Sequence, residues 1–436
     1  MTILKNHLTV FAQTEKGAMT TFGLFLIATM LFVGGYAIDV SNVMRERTHL
    51  QIVADSTGHA ALFKREHGTI EDAKAAALRI SKANMPNGHY GNVLDVTNVT
   101  FGNWDVDTRT FTASAGSRSA VEVEVDRNSA NGNSTDTFLL KMVGIGAWDL
   151  TAKATYTTYQ PTCFKEGFVA RGVVDLQSNN NFSNGFCIHS NSYVSLNSNN
   201  TFEPGTVVSM PNLDDLDIPN SGFKTNVGLQ TALRAGSYNI RIVDRIDEIV
   251  ATVDDVGSIY RPAYITSTVT KTIIAKTIAA ADLLPNKVNY WNCSGDGKGT
   301  IETRALIKDV VIVSNCEIKF GAGVKVENAV IVTSNTSARS FNSSSGFTLG
   351  LDDNCAAGGG SQLVTMGGMD FASDLRIYGS QLLALGDIQF AAAANGVEGA
   401  AMVSAGIITG TSNMDMAFCG VGMDNNFKAE YFRLVN

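Results

Sequence analysis

The chain has 436 residues, with 33 Lys or Arg against 41 Asp or Glu, a net charge of −8 and only 17% charged positions. An average soluble domain carries about 25% charged residues, and a hydrophobic content of 44% excludes disorder, which needs the opposite balance. The acidic total, without any Lys/Arg run, excludes a nucleic-acid partner, whose phosphates demand a basic face. With 41 Gly and 7 Pro, the chain predicts repeated turns between strands rather than a helical bundle.

Between Lys16 and Asp39 there are 22 consecutive uncharged positions. A helix that crosses about 30 Å of hydrocarbon needs roughly 20 such residues. Residues 18–38 are therefore expected to form one membrane anchor, with Ala18, Phe22, Leu24, Phe25, Leu26, Ile27, Leu31, Phe32, Val33 and Ile38 as its apolar positions. A cleaved signal peptide is the alternative. The apolar run exceeds an ordinary h-region, no clear small-x-small cleavage site follows, and the helical pattern continues, all of which favour a retained anchor. Lys5 and Lys16 precede the span and Arg45 and Arg47 follow it, so the positive-inside count is nearly balanced. The cysteines break that tie.

After the span, Val43, Leu50, Val53, Ala54, Ala61 and Leu62 recur at a helical period. The order of features is specific: Glu15-Lys-Gly17-Ala18 opens the span, Ala37-Ile-Asp39 closes it, and Arg47-x-x-Leu50-Gln51-x-x-Ala54-Asp55 follows. This region resembles the Tad/Flp pilus-assembly proteins of the TadG type. A weaker resemblance extends through Phe101-Gly-Asn-Trp104, Ala120 to Arg127, Phe138-Leu-Leu-Lys141 and Leu150 to Ala154. It implies a single-pass protein of the bacterial inner membrane with a large periplasmic C-terminal part, serving the export of adhesive pili through contacts with other pilus-assembly or secretion proteins. Gly17, Asp39, Arg47, Leu50, Gln51, Ala54 and Asp55 are its motif residues here. Two features depart from relatives. Five residues beyond Gly17 stands Phe22, not the Glu of a cleavable prepilin, and no Asp-x-Ser-x-Ser metal motif of a von Willebrand-type domain is present.

Downstream, Thr69 with Glu71 and Asp72 marks a helix start that should end near Met85-Pro86. From Val93 the period changes to two. Val121-Glu-Val-Glu-Val125 alternates as a half-buried strand does, and Thr151 to Tyr159 has high strand propensity. Residues 39–160 are thus expected to form a membrane-proximal helix and an α+β unit. Beyond them, Leu176-Gln-Ser-Asn-Asn-Asn-Phe182 recurs as Leu196-Asn-Ser-Asn-Asn-Thr-Phe202, and Val311-Ile-Val as Val330-Ile-Val. Short strands at such a period, separated by Asn or Gly turns, predict a stacked β-solenoid whose turn asparagines form hydrogen-bond ladders. Residues 161–436 are read as a right-handed parallel β-helix, with an insertion around 211–290 and resumption near Thr300. The whole is mainly β with an N-terminal transmembrane helix and a short cytoplasmic segment, 1–17.

Six cysteines, Cys163, Cys187, Cys293, Cys316, Cys355 and Cys419, all follow the anchor, and none forms a Cys-x-x-Cys pair. Their number and their confinement to one side favour disulfides in an oxidising periplasm. The two shorter intervals approximate one coil, so sequential pairing is the expectation among fifteen possible connectivities. No catalytic, cofactor or metal site is expected, and the chain reads as non-enzymatic. The six histidines lack metal spacing. Asp55-Ser-Thr-Gly58 superficially matches an aspartic-protease loop but sits inside the helical motif. Gly295-Asp-Gly-Lys298-Gly-Thr300 lacks the Ser or Thr that must follow the phosphate-loop lysine. The acid groups Asp214, Asp215 and Asp217, and Asp352 with Asp353, are the candidates for calcium. They also carry the rival reading, a membrane-tethered β-helix that binds or cleaves polysaccharide.

Overall fold

The computed structural model describes residues 16–293, 295 and 297–436. Lys5, Glu15 and Asp296, named above, lie outside the described residues, as does His7, one of the six histidines. Two compact units emerge among the described residues: 16–159 with 431–436, and 160–430.

In the first unit, helix α1 (Lys16–Arg65) runs 50 residues without interruption, about 75 Å at 1.5 Å per residue. Burial divides it. Among described residues 18–38 only Gly35 is buried, whereas from Asp39 onward Glu46, Leu50, Val53, Ala54, Ala61 and Leu62 form a buried stripe at helical spacing. Helix α2 (Ile70–Asn84) starts with a reciprocal cap. The Thr69 hydroxyl accepts from the Asp72 N–H, and the Asp72 carboxylate accepts from the Thr69 N–H, each at 3.1 Å. Strands β1 (Val99–Asp105), β2 (Thr110–Ala113) and β3 (Ala120–Arg127) follow, then the short pair β4 (Thr135–Asp136) and β5 (Ala147–Trp148), then β6 (Leu150–Tyr159). The antiparallel sheet is ordered β2, β1, β3, β6, and a strand from the far end of the chain, Tyr431–Leu434. Val121, Val123 and Val125 face the helices with Ala152 and Ala154, while Glu122 and Glu124 stay outside with Lys153. The two-residue period seen in the sequence is this face selection.

The second unit is a parallel β-solenoid of about 12 turns. The sequence repeat is its register: Leu196 stacks on Leu176, Phe202 on Phe182, and Val330 on Val311. Asn179, Asn199 and Asn413 take the left-handed conformation at equivalent turns, which Asn tolerates better than most residues. Asn180 and Asn200, each following one of these turns, and Asn226 of the next coil point inward and are buried. The Asn180 N–H donates to Asn200 Oδ1 at 2.9 Å, the Asn200 N–H to Asn226 Oδ1 at 3.2 Å, and the Met414 N–H to Asn180 Oδ1 at 3.0 Å. The expected asparagine ladder is therefore built from inward side chains that satisfy the amides of neighbouring coils. Aromatic rings fill the interior; Phe182 stacks on Phe202 at 4.8 Å and Phe320 on Phe347 at 4.3 Å.

The stacking order is not the chain order. Coils beginning at residues 167, 187, 207 and 233 stack in one run. Coils beginning at 270, 288, 311, 330, 362, 381 and 401 stack in a second. The last coil of the second run then pairs, in parallel, with the first coil of the first run: Ala401 opposite Gly167, Ile408 opposite Val174, Asp415 opposite Asn181. The earliest coil thus lies inside the stack, and the chain must travel from one end of the solenoid to the other between residues 236 and 269. That segment follows the first ladder of strands. Tyr238 is held by Asn191, Asp244 pairs with Arg171, helix Ile246–Thr252 lies against 362–365, Asp254 accepts from the Tyr290 hydroxyl, and the Tyr264 hydroxyl donates to the Val310 carbonyl. Of the region 211–290, residues 233–235, 270–273, 277–278 and 288–291 belong to coils, so the solenoid resumes at Thr270 rather than near Thr300. These coils keep Asn226 in the ladder and a left-handed Asn286, but not the seven-residue Leu-to-Phe pattern around them, which is why the repeat faded there.

Candidate functional site

The residues with the most specific sequence signature lie on the half of α1 that packs on the sheet. Asp39 occupies the first buried position after the apolar stretch. Its carboxylate accepts three backbone N–H bonds, from Phe138 at 2.6 Å, Leu139 at 3.0 Å and Leu140 at 2.7 Å. Burial by itself pushes the Asp39 pKa up. The amides of Leu140, Phe138 and Leu139, helped by Lys141, outweigh it and hold the group below the usual carboxylate value. One turn earlier, Gly35 lets the same loop approach: a Cβ at Gly35 stands 2.9 Å from the Leu139 Cβ.

Seven residues after Asp39, on the same face, Glu46 is buried against Arg127 of β3 at 2.7 Å, and Arg45 approaches from outside at 3.2 Å. Arg127 also donates to the Asn133 and Ser134 carbonyls and lies over the Tyr90 ring. A buried charge pair is tolerable only when its remaining donors are satisfied in this way. Neither Glu46 nor Arg127 stood out in the sequence, although the i, i+4 and i+7 relation of Glu46 to Leu50 and Val53 is a signal that places it on the buried face.

The remaining motif residues separate by role. Leu50 and Ala54 enter the core with Val53, Ala61 and Leu62. The Gln51 amide donates to Asp55 at 2.8 Å and to the Lys153 carbonyl of β6 at 3.1 Å, tying helix to sheet. Burial and the Asp55 charge push the neighbouring Tyr156 hydroxyl pKa up. Arg47 is exposed and does not join this group. The arrangement fixes a helix to a sheet through one polar tie at each level, and it brings no nucleophile, acid–base pair or ligand set together.

In the solenoid the three disulfides join Cys163 to Cys187, Cys293 to Cys316 and Cys355 to Cys419, the sequential pairing, with Cα separations of 4.9, 5.4 and 5.7 Å. These lie within the usual range for a bridge. Among the described residues the one group with metal-ligand spacing is Cys355, Glu398 and Cys419, and its cysteines are tied to each other. Asp214 and Asp215 sit in a short 3-10 turn capped by Asn212, Asp217 accepts from Ser195, and Asp353 accepts from the Ala356 N–H. His189 is buried between Ser209 and Asn191, and that burial lowers its pKa. Asp55-Ser-Thr-Gly58 is continuous helix, and Lys298 opens a strand beside Glu317.

Comparison with known proteins falls on the same division. A family profile described as Flp pilus-assembly TadE/G-like matches residues 17–77, and one described as Tad-like Flp pilus-assembly matches residues 57–155. A third, a domain of unknown function (DUF7867), matches residues 167–420, which is the solenoid. No curated protein and no solved structure matches the chain. The Gly17-to-Asp55 signature, the helix face it builds and the two pilus-assembly matches together place this chain in the Tad/Flp pilus-assembly family, as a TadG-type member whose solenoid belongs to the DUF7867 family.

Proposed function

We propose that this protein is a non-enzymatic scaffold of Tad/Flp pilus assembly, held in the bacterial inner membrane by residues 18–38 with its two folded units in the periplasm. The observation that carries the reading is the coincidence of the two pilus-assembly matches, residues 17–155, with the described first unit, whose core takes in Leu50 and Ala54 of the motif. The bare apolar half of α1 is long enough to cross a bilayer, and the three disulfides suit an oxidising compartment. In this reading the solenoid offers a long, regular face to other pilus or secretion proteins. The polysaccharide-binding alternative is not favoured by the family matches. Deletion of the gene followed by electron microscopy tests the proposal: surface pili should be lost or strongly reduced and restored by the intact chain, whereas normal piliation in the deletion strain counts against it.

A further inference from the structure

The loop that Asp39 holds has an unusual surface. Residues 138–145 read Phe-Leu-Leu-Lys-Met-Val-Gly-Ile, and in them Phe138 is 55% exposed, Met142 81%, Val143 56% and Ile145 43%. Leu140 alone of the large apolar residues is buried. The loop is nevertheless ordered as a finger. Its base is the β4–β5 pair, with Thr135 opposite Trp148, and Thr137 donates its N–H to the Gly146 carbonyl and its hydroxyl to the Ile145 and Gly146 carbonyls. The Ile145 N–H donates to the Leu140 carbonyl. Water-facing loops are normally polar, and an ordered tip with several exposed large apolar side chains marks a contact surface.

The position of the finger on α1 identifies what covers it. Its contacts are with Gly35, within the apolar stretch 18–38, and with Asp39, the first charge after it. Gly35 precedes Ile38 by one turn, about 5 Å along the helix axis, which matches the roughly 5–10 Å depth of elements seated at a membrane interface. Lys141, the one charge in the tip, carries a long apolar stem that can keep its ammonium in the headgroup layer. The half-buried Trp148 has the amphipathic ring favoured at that level. Beyond the base the surface turns polar: Asp149 accepts from the Ser129 and Ser134 hydroxyls. The apolar finger thus meets the end of the apolar stretch of α1, with polar groups at Asp39 and beside the finger's base.

We propose that residues 138–145 are a second membrane contact, a finger seated in the same leaflet from which α1 emerges, with the Asp39 carboxylate as its positioning clasp. The finger converts a single helix, free to tilt and rotate, into a two-point mount that fixes the angle of the first unit to the bilayer. This inference rests on the spanning role of residues 18–38.

The test uses the full chain reconstituted in vesicles of phosphatidylethanolamine and phosphatidylglycerol, with a photo-crosslinking benzoylphenylalanine placed singly at Met142, at Phe25 within the span, or at the exposed Val256 of the solenoid. Irradiation should give lipid adducts from positions 142 and 25 and none from 256. A lipid adduct at 25 with none at 142, or adducts from 142 to a second copy of the protein alone, overturns the finger and leaves the span intact. A lipid adduct at 142 without one at 25 removes the spanning reading and with it the two-point mount, and loss of both overturns both. In Asp39→Ala, and independently in Gly35→Leu, the adduct at 142 should be lost while that at 25 persists. Retention of the 142 adduct in both variants overturns the clasp.

Discussion

Ala401 lies opposite Gly167 in a parallel ladder, although more than half of the chain separates them. Tyr159 and Tyr431 are register partners at the edge of the antiparallel sheet, so the inserted solenoid must begin and end at neighbouring points. An ordinary solenoid cannot do this. Each coil advances about 4.8 Å, so the ends of about 12 turns stand roughly 50 Å apart. Starting the first coil inside the stack, and sending residues 236–269 along its length, brings both ends together without breaking the ladder.

Amide hydrogen exchange should show this closure directly. The amides of Gly167–Ala170 and Ala401–Ser404 sit mid-ladder and should exchange as slowly as those of Val311–Ser314. The end strands, 233–235 and 270–273, should exchange fastest. Rapid exchange at 167–170 and 401–404 together would falsify the continuous stack.

The ladder asparagines and their turn neighbours should respond differently to substitution. Asn200→Ala leaves the buried Asn180 N–H without its partner, and should cost about 1–3 kcal/mol in a urea unfolding experiment. Asn199 is left-handed, with φ of 64°. Asn199→Gly should therefore stay within about 0.5 kcal/mol of the parent.

Removing Glu46 strands the largely buried Arg127 charge, whereas without Arg127 the Glu46 carboxylate still meets Arg45. Glu46→Ala should destabilise the first unit by about 3–5 kcal/mol, and Arg127→Ala by less. The double replacement Glu46→Leu with Arg127→Met should recover much of that loss in thermal unfolding of the detergent-solubilised chain, since no charge is left unpaired.

The Asp39 clasp carries a defined pH dependence. Its folded pKa is lowered, so its contribution is fully present above the unfolded carboxylate value of about 3.9 and disappears as pH falls through the lower folded value. Proteolysis at the 138–145 finger should therefore be slow at neutral pH and accelerate only in strong acid, with Asp39→Asn cleaved rapidly throughout. An Asp39→Asn finger as resistant as the parent at neutral pH would show that the carboxylate does not hold it.

Disulfide loss should be graded by loop length. The loops closed by Cys163–Cys187 and Cys293–Cys316 span 24 and 23 residues, and that of Cys355–Cys419 spans 64, for which chain entropy gives about 3 and about 4 kcal/mol. Paired Cys→Ser replacements should lower the unfolding midpoint in that order, and non-reducing peptide mapping of the parent should recover only these three links.

What the amino-acid sequence determined by itself was everything with a local period. The uncharged run fixed the bare half of α1, the Leu50 to Leu62 spacing fixed its packed half, and the alternation at Val121–Val125 fixed which face of β3 is inside. The repeat at Leu176 and Leu196 wrote the solenoid register into the chain, since stacked coils must present like residues at like positions. Cysteine spacing near one coil did the same for two of the bridges. Tertiary structure alone decided the rest. The Asp39 clasp joins a side chain to backbone amides about a hundred residues away, which no side-chain pattern encodes. Glu46 meets Arg127 only after helix and sheet have packed. The permuted stack depends on where the two ends of the solenoid must lie, a constraint set by the pairing of Tyr159 with Tyr431 and not by any coil in itself. Local periodicity reports which face of an element is buried. It carries no information about which distant element buries it, and that choice placed the apolar finger beside the end of the apolar stretch of α1.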